Sequence, residues 1–133
     1  MIQWSEEYVI GIEKIDEQHK RLFGIANEAY KLLKDPFLTD KYDKIVVIIK
    51  ELKDYTKYHF DFEEKYMQSI GYRKYLSQKV AHDECIEKIN KFDLKNIDNN
   101  QDEAILNLLE FIVAWIGWHI KKEDTQIAKE INK

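Results

Sequence analysis

With 133 residues, 44% apolar and 35% charged, the chain has the balance of one soluble domain spanning 1–133, large enough for a core without staples. A net charge of −4 lacks the basic footprint that phosphate contacts require, so nucleic acid is not an expected partner. The single cysteine, Cys85, excludes an intrachain disulfide and any cysteine-only metal site.

Met1 to Glu7 show neither a basic start nor an apolar run, so no signal peptide is expected. The longest apolar run, Phe111 to Trp118, is too short to span a bilayer. A cytoplasmic protein without a membrane partner is the expectation.

Only four glycines and one proline interrupt the chain, strand-like alternation is missing, and helical periodicity is plain. After an N-terminal extended arm, the first helix carries Ile12, Ile15, His19, Leu22, Phe23, Ala26, Tyr30 and Leu33 at steps of three and four. Asp35-Pro36 ends it, because proline cannot continue the ladder. Thr39 or Asp40 suits the N-cap of the next helix. That helix shows Ile45, Ile48, Ile49, Leu52, Tyr55, His59, Phe62, Glu63 and Tyr66, with Gly71 as its stop. A third carries Tyr75, Gln78, His82, Cys85, Ile86 and Ile89 and fades near Asp93, before a polar loop from Asn96 to Asn100. The fourth has Ala104, Ile105, Leu108, Phe111, Ile112, Trp115 and His119, and a short C-terminal tail helix follows Asp124. The fold class is all-α, an up-down-up-down antiparallel four-helix bundle.

All four histidines fall on inward stripes. Histidine usually sits at least partly in water, so this placement needs a reason. In the antiparallel bundle His19, His59, His82 and His119 share one end. Counted from Gly71, His59 lies 12 residues before and His82 lies 11 after, each roughly 17 Å from the turn at ~1.5 Å per residue. Glu63 and Gln78 form the next matched layer. Imidazoles with a few carboxylates suit iron, and less distinctively zinc or manganese.

His59 and Glu63 are one turn apart on one face and can reach one centre. An unpaired buried carboxylate is costly unless a cation compensates. His119 and Asp124 are five apart, about 140° out of register on an ideal helix, so both face inward only if the helix ends or bends between them; the polar run Lys121 to Thr125 fits an ending. Asp16 reads equally as an orienting partner for His19 or as a solvent-facing cap. Cys85 reads as a small core hydrophobe rather than a substitute ligand. Trp4, Phe23, Phe62, Trp115 and Trp118 could line an apolar pocket, although most read as plain core.

Trp4, Val9-Ile-Gly11-Ile12 and Ile15-Asp16-Glu17-Gln18-His19 resemble the opening of bacterial hemerythrins. His59-Phe-Asp-Phe-Glu63-Glu64 resembles the family's second-helix motif, and Trp115 with His119-Ile120-Lys-Lys-Glu-Asp124 its last. The resemblance runs essentially the whole chain and implies two non-haem iron ions in the bundle, with dioxygen as the partner bound reversibly at one of them. By motif, His19 and His59 would hold the oxygen-binding iron, His82 and His119 the other, and Glu63 and Asp124 would bridge both. Trp4 and Trp115 are placed near the oxygen pocket on the same ground.

The resemblance breaks at Gln78, where the family has a histidine one turn before the residue matching His82. Gln78 either ligates through its amide oxygen or leaves the place to water or an outside ligand. Both outcomes open a second exchangeable position.

The leading function is therefore dioxygen storage, delivery or sensing, the last through a separate redox or signalling partner. The alternative is a di-iron redox enzyme acting on peroxide, nitric oxide or ferrous iron, although the ferritin-like Glu-x-x-His pair is missing. A metal-free interaction bundle is disfavoured, because six costly inward polar positions would remain uncompensated.

Overall fold

The computed structural model describes residues 3–37, 39, 41–92 and 101–132. Every element among them is helical: α1 (Glu13–Leu33), α2 (Lys41–Ser69), α3 (Tyr75–Asn90) and α4 (Gln101–His119), with a π-helical turn (Ile120–Asp124) leading into α5 (Thr125–Ile131). α1 packs on α2 and α4, and α3 closes the ring against the same two helices. This is the antiparallel four-helix bundle that the apolar stripes dictate. Asp40 as a cap, the fading of the third helix at Asp93 and the loop Asn96 to Asn100 lie outside the described residues.

Apolar side chains form two clusters. The larger runs through the bundle and includes Leu22, Phe23, Ile49, Leu52, Phe60, Leu108, Ile112 and Ile120. The smaller gathers Ile12, Ile15, Met67, Tyr72, Ile127 and Ala128. The inward polar residues lie between the two: Ile15 precedes His19 by about one turn, Met67 follows Glu63 and Ile127 follows Asp124. Cys85 is free and buried in the larger cluster, where burial pushes its thiol up to about 12. That state suits a hydrophobe and not a ligand.

Gly71, at φ +65°, ends α2 as expected. Its left-handed backbone lets the Tyr72 amide reach back to the Met67 carbonyl at 3.0 Å, which satisfies an orphan acceptor of the last turn. The N-terminal arm is extended apart from one 3-10 turn at Glu6–Tyr8. Asp16 belongs to this arm. Its carboxylate accepts the Ile10 and Gly11 amides at 2.9 and 3.0 Å, so of its two expected roles the structure selects the backbone cap. The Tyr8 ring lies so close to Gly117 that an added Cβ would sit 3.3 Å from it. Lys121 ties the π turn to Glu7 at 3.1 Å.

Two expectations change. The fourth helix does not end after His119: it continues without a break through the π turn, and the tail helix is its extension. Measured as one helix, Asp102–Ile131 is long and apolar enough to cross a membrane by length and composition, unlike the run Phe111 to Trp118 taken alone. Leu108, Leu109 and Ile112 are fully buried within the bundle, which identifies it as a core helix. Trp118, grouped above with the apolar aromatics, is 55% exposed.

Candidate metal centre

The four histidines are each only 1–2% exposed, and Glu63, Gln78 and Asp124 are equally buried. α1 supplies His19, α2 supplies His59 and Glu63, α3 supplies Gln78 and His82, and α4 with its π turn supplies His119 and Asp124. The structure brings all seven together.

Their donor atoms fall into two pockets, one formed by His19, His59, Glu63 and Asp124, the other by Glu63, His82 and His119. Glu63 divides its oxygens between them. Oε2 lies 3.4 Å from His59 Nε2 and 3.7 Å from His19 Nε2, while Oε1 lies 3.3 Å from His82 Nε2. Asp124 does the same, with Oδ2 at 3.2 Å from His19 Nε2 and Oδ1 at 3.4 Å from His119 Nε2. Each carboxylate therefore faces both pockets.

The π turn is what permits this for Asp124. In π winding the hydrogen bonds run from i to i+5, so residues five apart come onto one side. The break expected between His119 and Asp124 is thus a local change of winding, which leaves Lys121 and Lys122 exposed and turns Ile120 and Asp124 inward.

The matched layers also shift by about a turn. His82 meets Glu63 and Glu64 rather than His59, because side chains lean toward the N-terminus of their own helix. In antiparallel α2 and α3 that lean carries α2 side chains away from the shared turn and α3 side chains toward it.

Two residues beside the pockets were not singled out from sequence. His59 Nδ1–H donates to Gln18 Oε1 at 2.7 Å, and His82 Nδ1–H donates to Glu64 Oε2 at 2.8 Å. Each bond fixes its ring so that Nε2 points into a pocket. A signal existed for both. Gln18 lies on the stripe of Ile15 and Leu22, and Glu64 on the stripe of Phe60 and Met67. Aromatic rings back the second pocket: Phe60 stacks on His82 at 4.0 Å and Trp115 on His119 at 4.5 Å. Trp4 packs against the larger cluster from the arm, with the Lys20 ammonium 5.2 Å above its ring. Its described contacts do not include the histidines.

Burial opposes protonation of His19, but Asp124 and Glu63 outweigh it and push its pKa up to about 9. Burial likewise opposes charge on His82, and Glu63 with Glu64 raises it to about 9. Burial prevails at His59, lowered to about 4, and lowers His119 too. Glu63, although buried, is held well below the usual carboxylate range by His19, His59 and His82. Burial and the Glu63 charge push Asp124 up to about 6.

This pattern fits a cation. Among the described residues, both Glu63 oxygens, Asp124 Oδ2, both nitrogens of His19 and Gln78 Oε1 are buried without a hydrogen-bond partner. His59, neutral with its proton on Nδ1, turns a lone pair toward a charged carboxylate oxygen. Groups arranged this way are strongly destabilising unless positive charge compensates them, and imidazole with carboxylate is an iron-compatible donor set.

A model described as the Hemerythrin HHE cation binding domain matches residues 10–131. A bacteriohemerythrin of Clostridium acetobutylicum is 48% identical over 126 residues, 95% of this chain and 98% of its own length. A bacteriohemerythrin of Pseudomonas aeruginosa is 30% identical over 91% of this chain and 75% of its own. A hemerythrin-like protein of Naegleria gruberi is 26% identical over 91% and 86%.

Proposed function

This chain belongs to the hemerythrin family, and on that premise we propose that it binds dioxygen reversibly at its di-iron centre, for storage, delivery or sensing. In this reading His19 and His59 hold the oxygen-binding iron, His82 and His119 hold the other, and Glu63 and Asp124 bridge. The observation that carries it is the division of both carboxylates, each with one oxygen toward each pair of imidazoles.

When bound, the iron pair supplies the electrons that reversible dioxygen binding draws on. The protein supplies position and dryness. Gln18 and Glu64 keep the Nδ1 protons of His59 and His82, leaving Nε2 free to ligate. The smaller apolar cluster covers the end of the bundle and the larger one closes the site from below. Excluding water in this way suppresses side reactions. Trp115, stacked on His119, borders the second pocket and not that of His19 and His59; the described contacts of Trp4 reach neither.

One observation favours a second reading. Next to the second pocket the amide oxygen of Gln78, a poorer ligand than imidazole, is buried with no partner among the described residues. An exchangeable position there would suit a di-iron redox enzyme acting on peroxide, nitric oxide or ferrous iron.

The test is metal analysis with an optical spectrum followed through repeated anaerobic and aerated cycles. About two irons per chain and a fully reversible spectral change support oxygen binding. Irreversible oxidation with turnover of peroxide or nitric oxide supports the enzyme. A chain purified and reconstituted without iron overturns both.

A further inference from the structure

The two pockets differ in how their histidines are held from behind. His59 is anchored by the neutral amide of Gln18, which is buried. Among the described residues neither Nδ1 of His19 nor that of His119 has a hydrogen-bond partner. His82 alone among the four is anchored by a carboxylate, and that carboxylate reaches solvent: Glu64 is 12% exposed. A surface cavity of about 300 Å³ opens between α2 and α3, lined in part by Phe60, Glu64, Lys79, His82, Asp83 and Ile86. Lys79, 42% exposed, also lines it and spans Glu64 at 3.4 Å and Asp83 at 2.9 Å.

We propose that Glu64 is the positioning residue of the second pocket, holding His82 from the lining of this cavity, and that this pocket is where iron is loaded and lost. Three observations converge on it. Beside the pocket Gln78 bonds Asp124 Oδ1, the oxygen that faces His119, and offers only an amide oxygen, a weaker donor than imidazole. The pocket's His82 also lines a surface cavity together with the carboxylate that anchors it. Its anchoring carboxylate is also the one that reaches solvent, with Oε1 toward Lys79 and Oε2 on the ring. The proposal rests on the ligand assignment given above, and the experiment separates the two.

The iron-loaded full-length protein is challenged with excess ferrous chelator, and release is followed by absorbance. The wild type should lose its irons in two phases of equal amplitude. His119→Ala, which removes a second-pocket donor, identifies the fast phase by abolishing it. Glu64→Ala should accelerate the fast phase and weaken that site by about 10- to 100-fold, the usual effect of losing a histidine's hydrogen-bond anchor, with the slow phase unchanged. Glu64→Gln keeps an acceptor for the Nδ1 proton and should restore most of the wild-type rate, which a purely structural role for the carboxylate would not predict. Ile86→Trp, which fills the cavity from α3, should slow reloading of the same site. Unchanged phases in Glu64→Ala, or equal acceleration of both, would overturn the proposal. Failure of the wild type to hold two irons would instead overturn the ligand assignment. Circular dichroism melts of each variant establish that it is folded.

Discussion

Replacing Gln78 with histidine tests the difference between the two pockets directly. Gln78 Nε2 donates to Asp124 Oδ1 at 3.2 Å, while its Oε1 is buried with no partner. In the metal-free protein the substitution removes a hydrogen bond to a carboxylate, worth about 1.5–3 kcal/mol, and relieves an unsatisfied acceptor costing about 1–3 kcal/mol. These nearly cancel. The metal-free melting temperature should therefore move by less than about 5 °C for a chain of this size. With iron the balance differs, because an imidazole one turn before His82 on the same face gives the second pocket a third imidazole in place of an amide. Imidazole is the better ligand for ferrous iron. The weaker site should tighten by at least about tenfold, or about 1.4 kcal/mol, and slow oxidation on standing in air should decline. The assay pairs a chelator-competition iron titration with thermal melts of both proteins in both metal states. An unchanged dissociation constant for the weaker site would refute the argument, since a buried histidine at 78 that fails to bind would not face the iron at all.

Glu63→Ala should lose most of its iron, because one carboxylate serves both pockets; near-complete retention on metal analysis would rule out bridging. Stripping iron should lower the melting temperature, since an ion bound only by the folded state stabilises it by about 2.7 kcal/mol at a concentration 100 times its Kd. The gap should widen with pH. His19 and His82 stand at about 9 when folded and metal-free, above their unfolded value of about 6.5. Their contribution is then full below 6.5 and lost as pH rises through 9. Iron competes with those same protons, so it binds better over that interval. Parallel melting curves across pH 6.5 to 9 would contradict this.

Much of the site was legible because helical stripes report which side of a helix is buried. His19, His59, His82, His119 and Glu63 each fall on such a stripe, and the antiparallel order places them at one end. Gln18 and Glu64 lie on the same broad inward faces, next to His19 and Glu63, and a stripe alone does not separate a ligand from the residue that anchors one. Asp16 was ambiguous because a carboxylate in the first turn of a helix can serve either a ring or a strand of backbone; only the path of the arm decides. The layer matching of His59 with His82 failed because it counted Cα positions and ignored the opposite lean of side chains on antiparallel helices. Asp124 was hardest. Its inward direction follows from departure from 3.6-residue winding, and periodicity arguments assume that winding throughout.

The π turn reaches beyond Asp124. Leu109 and Ala128, both buried, are nineteen residues apart, which on unbroken α winding would leave them about 100° out of phase. The turn absorbs that slip, so α4 and α5 present one seam to the bundle. It also gives the centre a symmetry of donors without a symmetry of backbone. On α2 the imidazole and carboxylate are four residues apart and 3.4 Å from each other; after α4 they are five residues apart and again 3.4 Å. An ordinary helix one residue shorter would bring the same two groups to one face. The segment between His119 and Asp124 thus carries one residue more than its geometry requires, and it is the place where this chain can change length while both halves of the donor set keep their facing.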